Sequence, residues 1–222
     1  MLHFYMPLDR YVILNQAFSV LNERGLEGLT LRRLAKRLGV QAPAIYWHFK
    51  NKQELLDEMA THVLREALEE APAFDATQTW QDWALNYCLG LRRTLLRYRD
   101  GARMFSGTYL TDPTLYTPME ASLRKLTHSA FTLRQAAVAL GALYYYVVGF
   151  VIEEQAVDLA PGVPDPKYDL ARREARVDKE KHPLAFEAGA QLFADHDTRF
   201  LEGVSLIIVG MAALLPSLTR RV

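Results

Sequence analysis

The chain has 222 residues, half of them apolar and 23% charged, the profile of a globular protein able to bury a sizeable core. No apolar run of 18 residues stands out, Met1 to Tyr5 reads as a short tail without a leader's basic region, and the single Cys88 excludes an intrachain disulfide, so a cytoplasmic protein without a membrane segment is expected. Of 26 Lys/Arg and 26 Asp/Glu, eight and three fall in residues 1–52, leaving 18 and 23 for residues 53–222. A basic N-terminal module therefore precedes an acidic body, which fits nucleic acid at one end and another partner at the other.

From Asp9 to Arg24 the apolar residues Val12, Ile13, Ala17, Phe18, Val20 and Leu21 recur at helical spacing, with Asp9 as N-cap and Gly25 as stop. The stretch Leu29–Lys52 holds Arg32, Arg33, Lys36, Arg37, Lys50 and Lys52 and no acid. Its apolar residues sort into two short helices. Leu31, Leu34, Ala35 and Leu38 belong to the first, behind Thr30 as cap; Val40, Ala44, Ile45 and Trp47 belong to the second, about Ala42 to His48. Gly39 fits the left-handed turn between them, and Pro43 suits a first helical turn. Two short helices joined by a glycine turn make a helix-turn-helix, whose second helix enters the DNA major groove. A basic face alone would be equally well explained by solvation. The order of helix, glycine turn, helix and Trp47-His48-Phe49-Lys50-Asn51-Lys52 favours DNA. Arg32 is placed to reach a phosphate or a guanine edge, and Tyr46, His48 and Lys52 to contact the backbone.

Lys52 to about Glu70 reads as a longer helix with Leu55, Leu56, Met59, Val63, Leu64, Ala67 and Leu68 inward, ended by Pro72. It connects the two units, predicted as residues 1–52 and 53–222 with 53–70 as connector. Further helices are predicted at about 79–98, 102–106, 113–127, 133–154, 183–193 and 198–215, giving an all-α chain. The helices at 133–154 and 198–215 are apolar almost all round. Two such helices suggest a homodimer built on a four-helix bundle. Between Ala156 and His182 three prolines and a charged run predict a solvated loop with at most one short helix.

Several groups of residues resemble the tetracycline repressor (TetR) family. Gly25-Leu26-Glu27-Gly28-Leu29-Thr30, Leu34 to Val40 and Ile45 to Leu56 resemble its DNA-binding domain. Trp80-Gln81-Asp82, Arg99-Asp100-Gly101-Ala102, Gly107-Thr108 and Gly149 to Gln155 resemble the core domain of its tetracycline-binding members. The resemblance is weakest between 156 and 183. It implies a ligand-responsive, DNA-binding repressor that binds a palindromic operator as a dimer. The expected DNA-facing set is Thr30, Arg32, Arg33, Ala42, Pro43, Ala44, Tyr46, Trp47, His48 and Lys52. The family's glutamine contact to adenine falls on Ala42, so the operator should differ from the tetracycline operator.

In those members the resemblance also implies a magnesium chelate held by a histidine, a threonine and a glutamate of the second chain. Here Phe105 stands at the histidine position, while Thr108 and Glu153 remain; other contact positions read Leu68, Tyr87, Tyr109, Ser122 and Leu91. Two oxygen groups are too few for a hard-cation cage, so neither a metal nor another cofactor is expected. The expected effector is an apolar or aromatic small molecule other than tetracycline–magnesium, in a pocket of Tyr87, Leu91, Met104, Phe105, Tyr109, Leu123, Tyr145 and Tyr146 beside Thr108 and Glu153. The alternative is a helical ligand-binding or enzymatic protein that ignores DNA. Against an enzyme, Cys88 has no histidine three or four residues away, no His pair has metalloprotease spacing, no phosphate loop or serine elbow appears, and the adjacent Glu153 and Glu154 point about 100° apart. No catalytic residue is expected.

Overall fold

The computed structural model describes residues 8–70, 77–160, 163–193 and 195–215. The N-terminal tail and Pro72 lie outside them. Eleven α-helices are present among the described residues: α1 Arg10–Gly28, α2 Leu31–Leu38, α3 Ala42–Tyr46, α4 Lys52–Glu70, α5 Trp80–Leu96, α6 Gly101–Phe105, α7 Tyr116–His128, α8 Leu133–Ala156, α9 Leu170–Glu174, α10 Pro183–Phe193 and α11 His196–Ala212. The all-α expectation holds. The departure falls where a loop was expected, between α8 and α9. There β1 Asp158–Ala160 pairs antiparallel with β2 Val163–Pro164, and a 3₁₀ turn follows at Pro166–Tyr168. The ribbon is too short for two-residue alternation to show in the sequence.

The ends of α1 to α4 follow local chemistry. Asp9 accepts the Val12 N–H at 2.8 Å, and Thr30 accepts that of Arg33 at 3.2 Å. Gly39 closes α2 at φ 68° and ψ 23°, as a left-handed C-cap should. Asn51 accepts the Glu54 N–H at 2.9 Å while the Glu54 carboxylate reaches back to the Lys50 N–H at 2.8 Å, a reciprocal cap that starts α4. Ile13, Leu21, Leu34, Ile45, Phe49 and Leu55 are all fully buried and form one small core under the helix-turn-helix. Trp47, in the expected DNA-facing set, is 89% exposed. Helix α3 stops at Tyr46, short of the expected His48, and the turn that follows sends Phe49 into the core.

In the body, α8 is central and packs on α5, α6, α7 and α11. A full capping box starts it, with Thr132 and Gln135 bonding each other's backbone N–H. Its buried stripe is Ala136, Ala139, Leu143, Val147 and Val151, the three-and-four spacing of one helix face. By length and composition alone α8 could span a bilayer, which corrects the expectation that no segment has that character. Arg92 of α5 staples the helices: it grips Glu154 of α8 with two bonds of 2.6 and 2.9 Å and reaches Asp197 of α11 at 2.7 Å.

A candidate DNA-reading head and effector-binding body

The exposed side of the helix-turn-helix presents its cations unequally. Arg33 donates to the Gly28 carbonyl at 2.6 Å, Arg37 grips Glu23 with two 2.7 Å bonds and Gln16 at 2.8 Å, and Lys52 donates to the Leu26 carbonyl at 2.7 Å. These three hold the head together. Arg32, Lys36 and Lys50 make no side-chain hydrogen bond or ion pair among the described residues and are exposed, which leaves their charge for phosphates. Arg37 lowers the Glu23 carboxyl below its ordinary range chiefly through their hydrogen bonds, the mark of a committed pair.

Around α3, Pro43, Tyr46 and Trp47 are exposed, and Ala42, Ala44 and His48 are half-buried. Thr30 is exposed beside its capping role. The sequence reading passed over Gln41. It sits at the N-cap of α3 with an exposed side chain that bonds nothing in the head. The available signal was that Gln41 is the one hydrogen-bonding side chain among Gln41, Ala42, Pro43 and Ala44.

The expected effector residues are partly brought together. Met104 and Phe105 are buried on α6, and Tyr87, Leu91 and Leu123 are half-buried. Thr108 donates to the Phe105 carbonyl at 2.6 Å. Burial raises the Tyr87 phenol above its ordinary range, with Cys88 and Tyr144 adding to the rise, so it stays a neutral donor. Tyr145 and Tyr109 lie outside this group, 72% and 70% exposed. Tyr146 is spent elsewhere: its hydroxyl donates to the Phe200 carbonyl at 3.1 Å in a slot over Gly203 of α11. The tyrosine that faces Phe105 is Tyr144, at 6.4 Å between ring centres. With Trp83, whose ring is 5.7 Å from that of Tyr87, it completes an aromatic group between α5, α6 and α8. Glu153 is exposed on α8. Phe105 in place of a nitrogen ligand, with the threonine hydroxyl committed to a carbonyl, does not fit a magnesium chelate. Among the described residues no three of His, Cys, Asp and Glu group as metal ligands.

Head and body meet at a kink. Gly25 adopts φ 69° and ψ 178° inside α1, freeing the Leu26 N–H, which donates to Asp100 Oδ2 at 2.7 Å just before α6. A Cβ on Gly25 would stand 2.7 Å from that same oxygen. Arg99 adds bonds to Asn22 and the Glu23 carbonyl at 3.0 and 3.3 Å, and Arg103 pairs with Glu27 at 3.1 Å.

A helical head that leaves Arg32, Lys36 and Lys50 uncommitted among the described residues and an exposed aromatic edge around a short second helix, docked on a larger helical body, defines a helix-turn-helix DNA-binding regulator. Comparison with known proteins agrees. Residues 13–59 match the family described as bacterial regulatory proteins, tetR family, and residues 71–215 match the tetracyclin repressor-like C-terminal domain. The chain is 36% identical over 215 residues to the class D tetracycline repressor protein of Escherichia coli, covering 96% of this chain and 93% of that one. A possible TetR-family regulator from Streptomyces coelicolor A3(2) superposes with a TM-score of 0.81 at 34% identity, covering 93% of this chain and all of the other. ActR of Streptomyces coelicolor, solved with actinorhodin, gives 0.79 at 28% identity over 94% and 98%. A variant TetR of Acinetobacter baumannii AYE, solved with minocycline, gives 0.70 at 34% over 95% and 99%. The chain belongs to the tetracycline repressor family and is a transcriptional repressor with a ligand-binding C-terminal domain.

Proposed function

We propose that this protein is a cytoplasmic, homodimeric repressor, not an enzyme, that holds a palindromic operator through residues 1–52 and is released by a small apolar or aromatic effector bound in residues 53–222. The observation that carries the reading is the Asp100–Leu26 bond. It ties the turn before α6 to the kinked end of α1, so whatever rearranges α6 also moves the head. Coupling of this kind is reciprocal, and operator must weaken effector by the same factor that effector weakens operator. The aromatic group of Trp83, Tyr87, Phe105 and Tyr144 supports an uncharged ring-containing effector, because neutral phenols offer donors and no charged side chain sits among these four. The complexes of relatives with actinorhodin and minocycline support a small-molecule effector.

A dimer is supported by two outward apolar faces. Val138 and Tyr145 on α8 and Leu206 and Val209 on α11 are each more than half exposed in the single chain. Such a patch on a soluble protein marks an interface. Gel shifts with defined protein-to-duplex ratios test the reading: two chains per operator are expected, and Leu206→Glu, which places a charge in that face, should abolish the shift. One chain per duplex, with Leu206→Glu binding normally, would overturn the dimeric reading.

A further inference from the structure

A second polar connection between body and head runs through α4. The loop after α6 lies along that helix. The Tyr109 N–H donates to Asp57 Oδ1 at 3.0 Å, the Thr111 N–H donates to Thr61 Oγ1 at 2.8 Å, and Asp112 pairs with Arg65 at 2.7 Å. From Thr111 the contacts continue. Its hydroxyl lies 3.2 Å from Glu58 Oε2 and 3.2 Å from Thr61 Oγ1. A hydroxyl has one proton, and the carboxylate is the stronger acceptor. The same Glu58 oxygen accepts from Arg10 Nη2 of α1 at 3.2 Å. The other arm of Arg10 donates to the His48 carbonyl at 2.7 Å, two residues past the end of α3, and the guanidinium lies 4.3 Å over the Phe49 ring.

We propose that Thr111, Glu58 and Arg10 form a relay that sets the position of the second helix of the reading head according to the state of the loop after α6, with Glu58 as its shared positioning residue. The inference rests on the reading of the protein as a ligand-released repressor. Its loop end begins three residues after Thr108, whose hydroxyl holds the end of α6. Its head end is the backbone that carries Tyr46, Trp47 and His48. Arg10 and Glu58 keep 45% and 23% of their side-chain surface, so water screens the pair and it contributes little to stability. Its geometric effect is larger: with Glu58 unable to serve both partners, Arg10 would remain with Glu54 at 3.5 Å and the His48 carbonyl would follow. Thr111 and Arg10 are not bonded to each other, so any energetic dependence between them must pass through Glu58 or a common movement.

The test is a mutant cycle on the affinity of the full chain for a duplex selected from a random pool, reading Thr111→Val, Arg10→Ala and the double variant, first with Glu58 and then with Glu58→Ala. The losses in Kd should depart from additivity by about two- to tenfold with Glu58, the range for groups in one network, and become additive in Glu58→Ala. Glu58→Gln, which keeps an acceptor oxygen, should retain part of the coupling. Urea midpoints should barely move in Thr111→Val and Glu58→Ala, and Arg10→Ala, which also loses the His48 carbonyl and the Phe49 ring, should lower its midpoint equally with and without Thr111→Val, whereas a merely structural role would leave the Kd losses additive. Additivity on a duplex that the wild type binds overturns the relay alone. Failure of the wild type to enrich any duplex overturns the repressor reading, and the relay with it.

Discussion

At Gly25 two demands meet on one residue. Its φ of 69° is costly for any side chain, and a methyl group would displace the Asp100 carboxylate that accepts the Leu26 N–H. Gly25→Ala should therefore destabilise the chain by about 1–3 kcal/mol, read as a fall in urea midpoint, and should loosen the head from the body. An unchanged midpoint would show that the kink bears no strain. Gln41→Ala makes the opposite prediction. The amide holds nothing within the head, so stability should stay within about 0.5 kcal/mol, while the preference for one base of the operator relaxes by about 1–3 kcal/mol. Arg32→Ala, by contrast, removes a cation free of internal partners, and whether its loss is equal on selected and random duplexes sorts it between phosphate and base contacts. Cys88 is a buried thiol. Burial pushes its thiol up to about 12, so no thiolate is available at neutral pH and slow alkylation of the folded chain is expected. An acid whose folded pKa is raised holds its proton in the native state longer than in the unfolded one. Stability from this group is therefore fully present below about pH 8.5, where the unfolded thiol titrates, and is lost as pH rises towards 12.

Helix α8 shows how much of an element the sequence discloses. Its start at Leu133, its length and its apolar character follow from Thr132, Gln135 and the uncharged run to Glu153. The fate of Tyr144, Tyr145 and Tyr146 does not follow from composition, because consecutive helical positions differ by about 100° and the three rings fan out in different directions. The phase of the buried stripe decides it: Leu143 and Val147 face inward, so Tyr144 flanks the core towards α6, Tyr145 points out and Tyr146 reaches α11. Residue type cannot separate the three tyrosines, and the expected pocket takes in Tyr145 and Tyr146 but not Tyr144. The end of α3 departs for a related reason. The apolar spacing fits a helix running to His48, but α3 ends at Tyr46 and the following turn sends Phe49 inward. The caps Asp9, Thr30 and Gly39 were legible because each acts over three or four residues. The ties of Arg33, Arg37, Lys52 and Asp100 were not, since their partners are distant in sequence or are backbone atoms. At this scale Leu143→Ala should cost about 2–5 kcal/mol by leaving a cavity against the neighbouring helices, while Tyr145→Ala should leave the unfolding of the isolated chain almost unchanged. Equal losses, measured at a protein concentration low enough to keep the chain monomeric because Tyr145 also lies on the proposed dimer face, would place Tyr145 in the core and contradict the phase of α8.

For the whole molecule, two ties join head and body. Asp100 holds the kink of α1, and Glu58 links the loop after α6 to Arg10. A head held at two points moves with the body as a unit, which is what a change of spacing between two heads requires. On the proposed reading, the exposed apolar faces of α8 and α11 would pair two such chains, and Arg32, Lys36 and Lys50 would contribute to the salt-dependent part of DNA affinity. All of this depends on one claim, that the basic N-terminal unit reads DNA and does so as a pair. The most direct test is to select random duplexes on the purified full-length chain and measure the winner's affinity across a salt series. A palindrome whose half-sites lie about one helical turn apart, bound with an affinity that falls steeply as salt rises, is the predicted result. A pool without an enriched sequence, and binding that is weak even at low salt, would contradict the account and leave Arg32, Lys36 and Lys50 as a solvated helix face.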